Sequence, residues 1–166
     1  PITQRSLCAA NNRIRKLRVN HTFLIEPGRW KLQGNWLERD KPPMAIRGGI
    51  LIAWGRGNWF TMVMKLTFPN DNHDEIALQY KGRLAGGERQ YTFVLQHSEL
   101  GRVEGEGWVA PAPVVHGYWC LGDRPLPTAF VTLHQLNSGH SHLSSVSMAG
   151  IYLHTSFQAA LVRQPY

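Results

Sequence analysis

Histidines in the last third of the chain are the first candidates for chemistry. His134, His140, His142 and His154 lie there, and His116 lies not far upstream. On an extended strand, His140 and His142 would project from one face, and neighbouring strands could add another imidazole for zinc or haem. The segment is rich in turn-forming residues and has no adjacent carboxylate or cysteine pair. Solvated or hydrogen-bonded histidines are commoner than metal ligands, so we predict no metal site.

Glu104 and Glu106 stand two residues apart and would share one face of a strand. Paired carboxylates can act as general acid and base. Nothing else in this strand indicates a pocket, so a charged outward face is the favoured interpretation. The run His97, Ser98 and Glu99 is no triad, because adjacent residues on a strand point to opposite faces. The chain also has no P-loop. We therefore predict no catalytic residue.

Large apolar side chains on alternating positions are the candidates for ligand binding. Aromatic rings form flat walls and methionine adapts to irregular shapes, which suits a planar or acyl ligand. A packed core would show the same pattern, so both interpretations stay open. Arg47, Arg83, Arg102 or a lysine at the barrel mouth could pair with the carboxylates of such a ligand. The predicted ligand-binding residues are Phe60, Met62, Met64, Phe68, Tyr80, Tyr91 and Phe93.

Short alternating segments separated by turn residues must position these side chains. Gly48-Gly49 is expected to weaken or bulge the second strand, and Asn137 to Gly150 is expected to be irregular. Ile151 to Arg163 closes the chain as one bent strand or two short ones. The other predicted strands are Phe23–Glu38, Met44–Trp54, Trp59–Phe68, Glu75–Leu84, Arg89–Ser98, Gly101–Ala110, Val114–Leu121 and Phe130–Leu136.

This pattern predicts an all-β fold of eight to ten antiparallel strands in an up-and-down meander. Closing the meander into a barrel removes its unpaired edges. A β-sandwich is the alternative. At 166 residues, with 43% hydrophobic and 17% charged residues, the chain suits one globular domain, which we place at residues 21–166. Its two cysteines make no disulfide framework.

Residues 1–20 form a basic arm. They carry five of the seven net positive charges, and an apolar stripe at helical spacing predicts a short helix. One interpretation is a helix across one mouth of the barrel; the other is a docking arm for an acidic partner. The arm lacks an apolar leader, and no apolar run is long enough for a membrane helix, so we expect a cytoplasmic protein. The basic residues are Arg5, Arg13, Arg15, Lys16 and Arg18.

Gly28-x-Trp30 on the first strand, with Arg163 late on the last, resembles the calycins, the group of the lipocalins and fatty-acid-binding proteins. The resemblance implies that the tryptophan packs at the closed end of the barrel and that the arginine lies across its ring, a cation–π contact. Trp36, which follows Gly34, is the alternative for that role. A ligand site is then expected at the opposite end.

A looser resemblance is to the lipocalin-like bilin lyases and related barrels of photosynthetic bacteria. It rests on chain length, the N-terminal helix and the ending Gln158 to Gln164, and it transfers no catalytic residue. We expect a protein that binds an apolar, carboxylate-bearing molecule, such as a tetrapyrrole or a lipid. A bilin lyase or chaperone is one alternative, and a filled barrel that binds a protein partner through the arm is the other. Nucleic acid is disfavoured because the charge lies mostly in the arm.

Overall fold

The computed structural model describes residues 27–85, 89–110, 113–120 and 128–165. The predicted basic arm and its helix lie outside this range. A 3₁₀ turn, Arg56–Asn58, joins the second strand to the third. Ten strands are found in the described residues: β1 Gly28–Glu38, β2 Met44–Trp54, β3 Trp59–Thr67, β4 Ile76–Leu84, β5 Gln90–His97, β6 Gly101–Val109, β7 Pro113–Cys120, β8 Thr128–Asn137, β9 His140–Ala149 and β10 Tyr152–Gln164.

Each strand pairs antiparallel with the next along the chain, and β1 pairs with β10, so the sheet closes into a barrel. In the closing pair Trp30 lies opposite Arg163 and Trp36 opposite Phe157. The predicted up-and-down barrel is confirmed, and the β-sandwich alternative is wrong. Closure satisfies the backbone groups that an open edge strand would expose.

The expected bulge at Gly48-Gly49 is wrong, because Gly48 pairs with Leu66 and Gly49 with Lys65 without a shift of register. Gly48 instead permits a close approach between strands. A Cβ atom at this position would lie 1.9 Å from the backbone oxygen of Lys65. The glycine is therefore required by backbone proximity and does not interrupt the ladder.

The expected irregular segment from Asn137 to Gly150 is also wrong, because its central part is β9, which pairs with both β8 and β10. Ser141 and Ser145 lie on the inner face beside Leu143, and all three are buried. Serines therefore occupy two inward positions of β9 where apolar residues were expected. The alternation was present in burial but hidden in hydropathy.

One cluster of buried hydrophobic residues lies inside the barrel, because inward and outward residues alternate along most strands. On β3, Phe60, Met62, Met64 and Leu66 are buried, as predicted. The other predicted ligand-binding residues, Phe68, Tyr80, Tyr91 and Phe93, are also buried.

Candidate ligand-binding site

An aromatic cluster lies inside the barrel, where β3, β4, β5 and β7 face one another. The ring of Phe60 lies edge-on to Tyr91, with centroids 5.6 Å apart, and Tyr80 lies 5.2 Å from Phe93. His116 contacts this cluster, with its ring 5.2 Å from Phe93. Four predicted residues and one histidine therefore form a single ring-lined interior.

The rings of this cluster lie directly on the inner wall, because glycines face them. A Cβ atom at Gly105 would lie 2.3 Å from the ring of Phe93, and one at Gly107 would lie 2.3 Å from that of Tyr91. Gly82 stands in the same relation to Phe60, at 2.5 Å. Missing side chains on the wall thus make room for aromatic rings, which occupy this part of the interior.

Tyr91 and His116 form a hydrogen-bonded pair inside the cluster, with 2.9 Å between the tyrosine hydroxyl and Nδ1. The other ring nitrogen, Nε2, is buried and has no hydrogen-bond partner among the described residues. Burial lowers the pKa of His116 to about 4 and raises the pKa of Tyr91. Both groups are therefore neutral at pH 7, since a charge would lack solvation there.

Sequence reasoning grouped His116 with the C-terminal histidines and missed this pair. The sequence feature that could have revealed it is the alternation of inward and outward positions along β7. This alternation places His116 on the inner face once the register with β6 is known. Its neighbour across the ladder is Gly107, whose missing side chain admits the Tyr91 ring.

A cleft of about 510 Å³ lies at the rim where β4 ends and β5 begins. This volume is within the range of small-molecule sites. Most of the lining side chains belong to the outer wall, and Leu84 and Tyr91 belong to the inner face. The lining comprises Asn58, Arg83, Leu84, Ala85, Gln90, Tyr91, Thr92, Glu106 and Trp108.

The cleft combines a cation, a carboxylate and an exposed aromatic face. Arg83 and Glu106 both lie opposite Thr92 on adjacent strands, so the three side chains form a row across the wall. Trp108 is 60% exposed and borders this row. The guanidinium of Arg83 also lies 5.7 Å from the ring of Trp59. Such a cleft can bind a carboxylate, accept a hydrogen bond and stack against a flat ligand.

The other arginines considered for a ligand carboxylate lie elsewhere. Arg47 lines a second cleft of about 320 Å³ on the wall formed by β1 and β2. Arg102 lies 3.9 Å from Glu104 on the outer face of β6. Glu104 and Glu106 both point outward, as predicted, because the residues that alternate with them, Val103 and Gly105, are buried.

The predicted interior residues do not all gather at one place. Tyr91 reaches the cleft at the rim, whereas Phe68 lies near the opposite end. There the ring of Phe68 stacks on His73 at 4.1 Å and meets Trp36 edge-on at 5.5 Å. Met62 and Met64 are buried between the two ends.

Arg163 lies over Trp30, with its guanidinium carbon 5.7 Å from the ring centroid. The guanidinium also donates a hydrogen bond to the backbone oxygen of Pro27 at 2.8 Å. Trp36 instead stacks on Phe157, at 5.5 Å. Because consecutive strands are antiparallel, the start of β1 and the end of β4 meet at one rim. The cleft thus lies at the Trp30 end, whereas the resemblance led us to expect a site at the other end.

No group of three or more histidine, cysteine or acidic side chains in the described parts of the chain is arranged to hold a metal ion. His134 and His142 lie opposite each other on β8 and β9, and the register leaves His154 unpaired at a shift in β10. None of the helices within the described residues is long and apolar enough to cross a membrane. The cytoplasmic location stays a prediction.

The fold is a closed, lipocalin-like antiparallel barrel, as the resemblance implied. No protein-family model matches the chain, and no curated protein matches it. Among solved structures, Rv2717c from M. tuberculosis superposes with a TM-score of 0.68 at 14% identity, over 87% of this chain and 94% of that chain. The S-type phycobiliprotein lyase CPES from Guillardia theta superposes with a TM-score of 0.61 at 12% identity, over 92% and 93%. At these identities the likeness concerns the fold.

Proposed function

We propose that this protein binds a small carboxylate-bearing ligand with a flat apolar body, and that the ligand occupies the rim cleft. The observation that carries the proposal is the meeting of Arg83 and Tyr91, both singled out from sequence, in one cleft of ligand size. Arg83 supplies planar hydrogen-bond donors for a carboxylate. Trp108, largely exposed beside it, supplies a flat apolar face.

Glu106 narrows the class of ligand, because a carboxylate in the cleft favours a ligand that also carries N–H or O–H donors. A linear tetrapyrrole has carboxylates, pyrrole N–H groups and flat rings. A fatty acid has a carboxylate but no donor for Glu106. The cleft therefore favours a tetrapyrrole over a lipid, and the structural likeness to a phycobiliprotein lyase supports a bilin as the first probe.

The mechanism proposed is reversible sequestration. The carboxylate pairs with Arg83 at the rim, and the flat body leaves water by stacking on Trp108. Amide and hydroxyl groups of Asn58, Gln90 and Thr92 are placed to satisfy the remaining polar groups of the ligand. A lyase or chaperone activity on a bilin is the enzymatic alternative, and no catalytic residue is assigned to it.

Titration with biliverdin tests the proposal, followed by its visible absorption and by quenching of tryptophan fluorescence. Arg83→Gln should weaken binding about tenfold, since a hydrogen bond to a charged group contributes roughly 1.5 kcal/mol. Trp108→Ala should weaken it by a similar factor through lost stacking. Arg102→Gln is the matched control, because Arg102 lies outside the cleft beside Glu104.

Equal affinities of wild type, Arg83→Gln and Trp108→Ala would refute the cleft as the site. Oleate serves as the second probe. Binding of oleate but not of biliverdin would assign a lipid ligand and overturn the role given to Glu106.

The packed interior favours one second candidate, a filled barrel that binds a protein partner. The rings of Phe60, Tyr91 and Phe93 occupy the space above three wall glycines, which suits a solid core. In this case the basic arm of residues 1–20 would provide the contact with an acidic partner. Capture of that partner by the full chain should then weaken as the salt concentration rises, and deleting residues 1–20 should abolish it. Capture that survives the deletion would exclude this candidate.

A further inference from the structure

A pair of histidines faces outward on the β8–β9 hairpin. His134 and His142 are direct cross-strand partners. His134 is exposed and His142 is half-buried. Directly opposite residues of an antiparallel pair have Cβ atoms about 4.5–5.5 Å apart, so the two imidazoles can reach one atom between them.

The cross-strand neighbours of this pair in the described strands carry no carboxylate. On the flanking strands, His134 lies opposite Pro113 and His142 lies opposite Ala160. The preceding outward pair on the hairpin is Thr132 and Ser144. Among the described cross-strand neighbours, the strong ligating groups at this position are imidazole nitrogens.

The third histidine of the hairpin, His140, is held differently. It lies two residues before His142 on the same face of β9. Its Nδ1 lies 3.0 Å from Oδ1 of Asn137, which orients the ring toward the turn. The same Asn137 oxygen accepts a hydrogen bond from the backbone N–H of Gly139 at 2.9 Å. His140 is thereby assigned to the turn, and the pair His134 and His142 remains.

We propose that His134 and His142 form a two-imidazole site for a late first-row divalent cation, with water completing the coordination. Imidazole nitrogens bind Cu²⁺, Ni²⁺ and Zn²⁺ at about 2.0–2.1 Å, whereas Mg²⁺ and Ca²⁺ require oxygen ligands. Both ligands stand on one ladder closed by a short turn, so little chain freedom is lost when the ion binds. Copper is expected to bind most tightly, in the Irving–Williams order.

Isothermal titration of the full chain with NiCl₂ tests the site, since Ni²⁺ does not oxidise the two cysteines. Wild type should bind one equivalent that is absent from the double variant His134→Gln/His142→Gln. Each single variant should weaken this binding at least tenfold, because a chelate is reduced to one imidazole. Saturating Ni²⁺ should raise the unfolding midpoint of wild type and leave that of the double variant unchanged.

His140→Gln and His154→Gln are the matched controls, and both should bind Ni²⁺ within twofold of wild type. Equal Ni²⁺ binding by wild type and the double variant would overturn the proposal. A loss in His140→Gln as large as that in His142→Gln would also overturn it, because the site would then include the turn histidine. Thermal unfolding without metal checks that all variants fold alike.

Discussion

Lowering the pH from 7.5 to 5 should destabilise this protein through His116. Burial lowers the pKa of this imidazole from 6.5 to about 4 in the folded chain. The folded state therefore keeps His116 neutral, while the unfolded chain takes up a proton below about pH 6.5. The contribution of His116 to the free energy of unfolding is thus complete above the pKa of the unfolded state. It decreases as the pH drops, and the loss levels off near the pKa of the folded state.

The magnitude follows from the difference between the two pKa values. One pKa unit corresponds to about 1.4 kcal/mol, so the complete effect is about 3 kcal/mol. Between pH 7.5 and pH 5 the linkage relation yields about 2 kcal/mol. Burial also lowers the pKa of His97, which adds to the loss in the same direction. The hydrogen bonds from Lys41 and Trp36 lower the pKa of Glu38 below 4.5, so its effect appears only below the range tested.

Urea unfolding at several pH values from 5 to 7.5, followed by tryptophan fluorescence, measures the effect. The comparison is with Tyr91→Phe/His116→Leu, which removes both partners of the buried hydrogen bond and leaves neither unsatisfied. This variant should lose about 2 kcal/mol less than wild type between pH 7.5 and 5. His140→Gln, a substitution of an exposed histidine, should keep the wild-type dependence.

Parallel pH dependences of wild type and the double variant would refute this reasoning. They would show that His116 is protonated as easily in the folded chain as in the unfolded one, which is incompatible with an imidazole buried among aromatic rings.

Two further substitutions test the wall and the end of the barrel. Gly48→Ala should destabilise the protein by about 2 kcal/mol or more, because the new methyl group would overlap the backbone of Lys65. Gly49→Ala should be close to neutral, since the nearest atom to its new Cβ would lie 3.6 Å away. Equal urea unfolding midpoints for the two variants would contradict the close approach at Gly48. Arg163→Gln should lower the free energy of unfolding by about 1–2 kcal/mol, because it removes the contact with Trp30 and the hydrogen bond to Pro27. The same unfolding assay measures this loss. An unchanged free energy of unfolding would show that the Trp30 ring needs no cation.

Most strands were predictable because the side-chain period of two is a local property. The face of β3, with Phe60 inward and Thr61 outward, follows from hydropathy alone. The same rule failed on β9, where Ser141 and Ser145 are buried although they are polar. The Trp30–Arg163 contact was expected from a family resemblance, and one register between the first and last strands produces it.

The candidate sites were less predictable, because they depend on which residues of different strands lie side by side. Arg83 was one of three arginines considered, and only the ladder from β4 to β6 places it in a row with Thr92 and Glu106. Trp108, which completes the cleft, was not selected, since its exposure and its neighbours are not local properties.

The sequence by itself determined the fold class. Short alternating segments separated by turn residues form strands that pair in chain order, and their apolar faces share one interior. The tertiary structure alone decided which polar groups meet. It paired His116 with Tyr91 inside and His134 with His142 outside, and it placed Arg83 and Glu106 in one cleft at the rim. The physical reason is that strand register and barrel closure join residues far apart in sequence, whereas hydropathy reports only the face on which each residue lies.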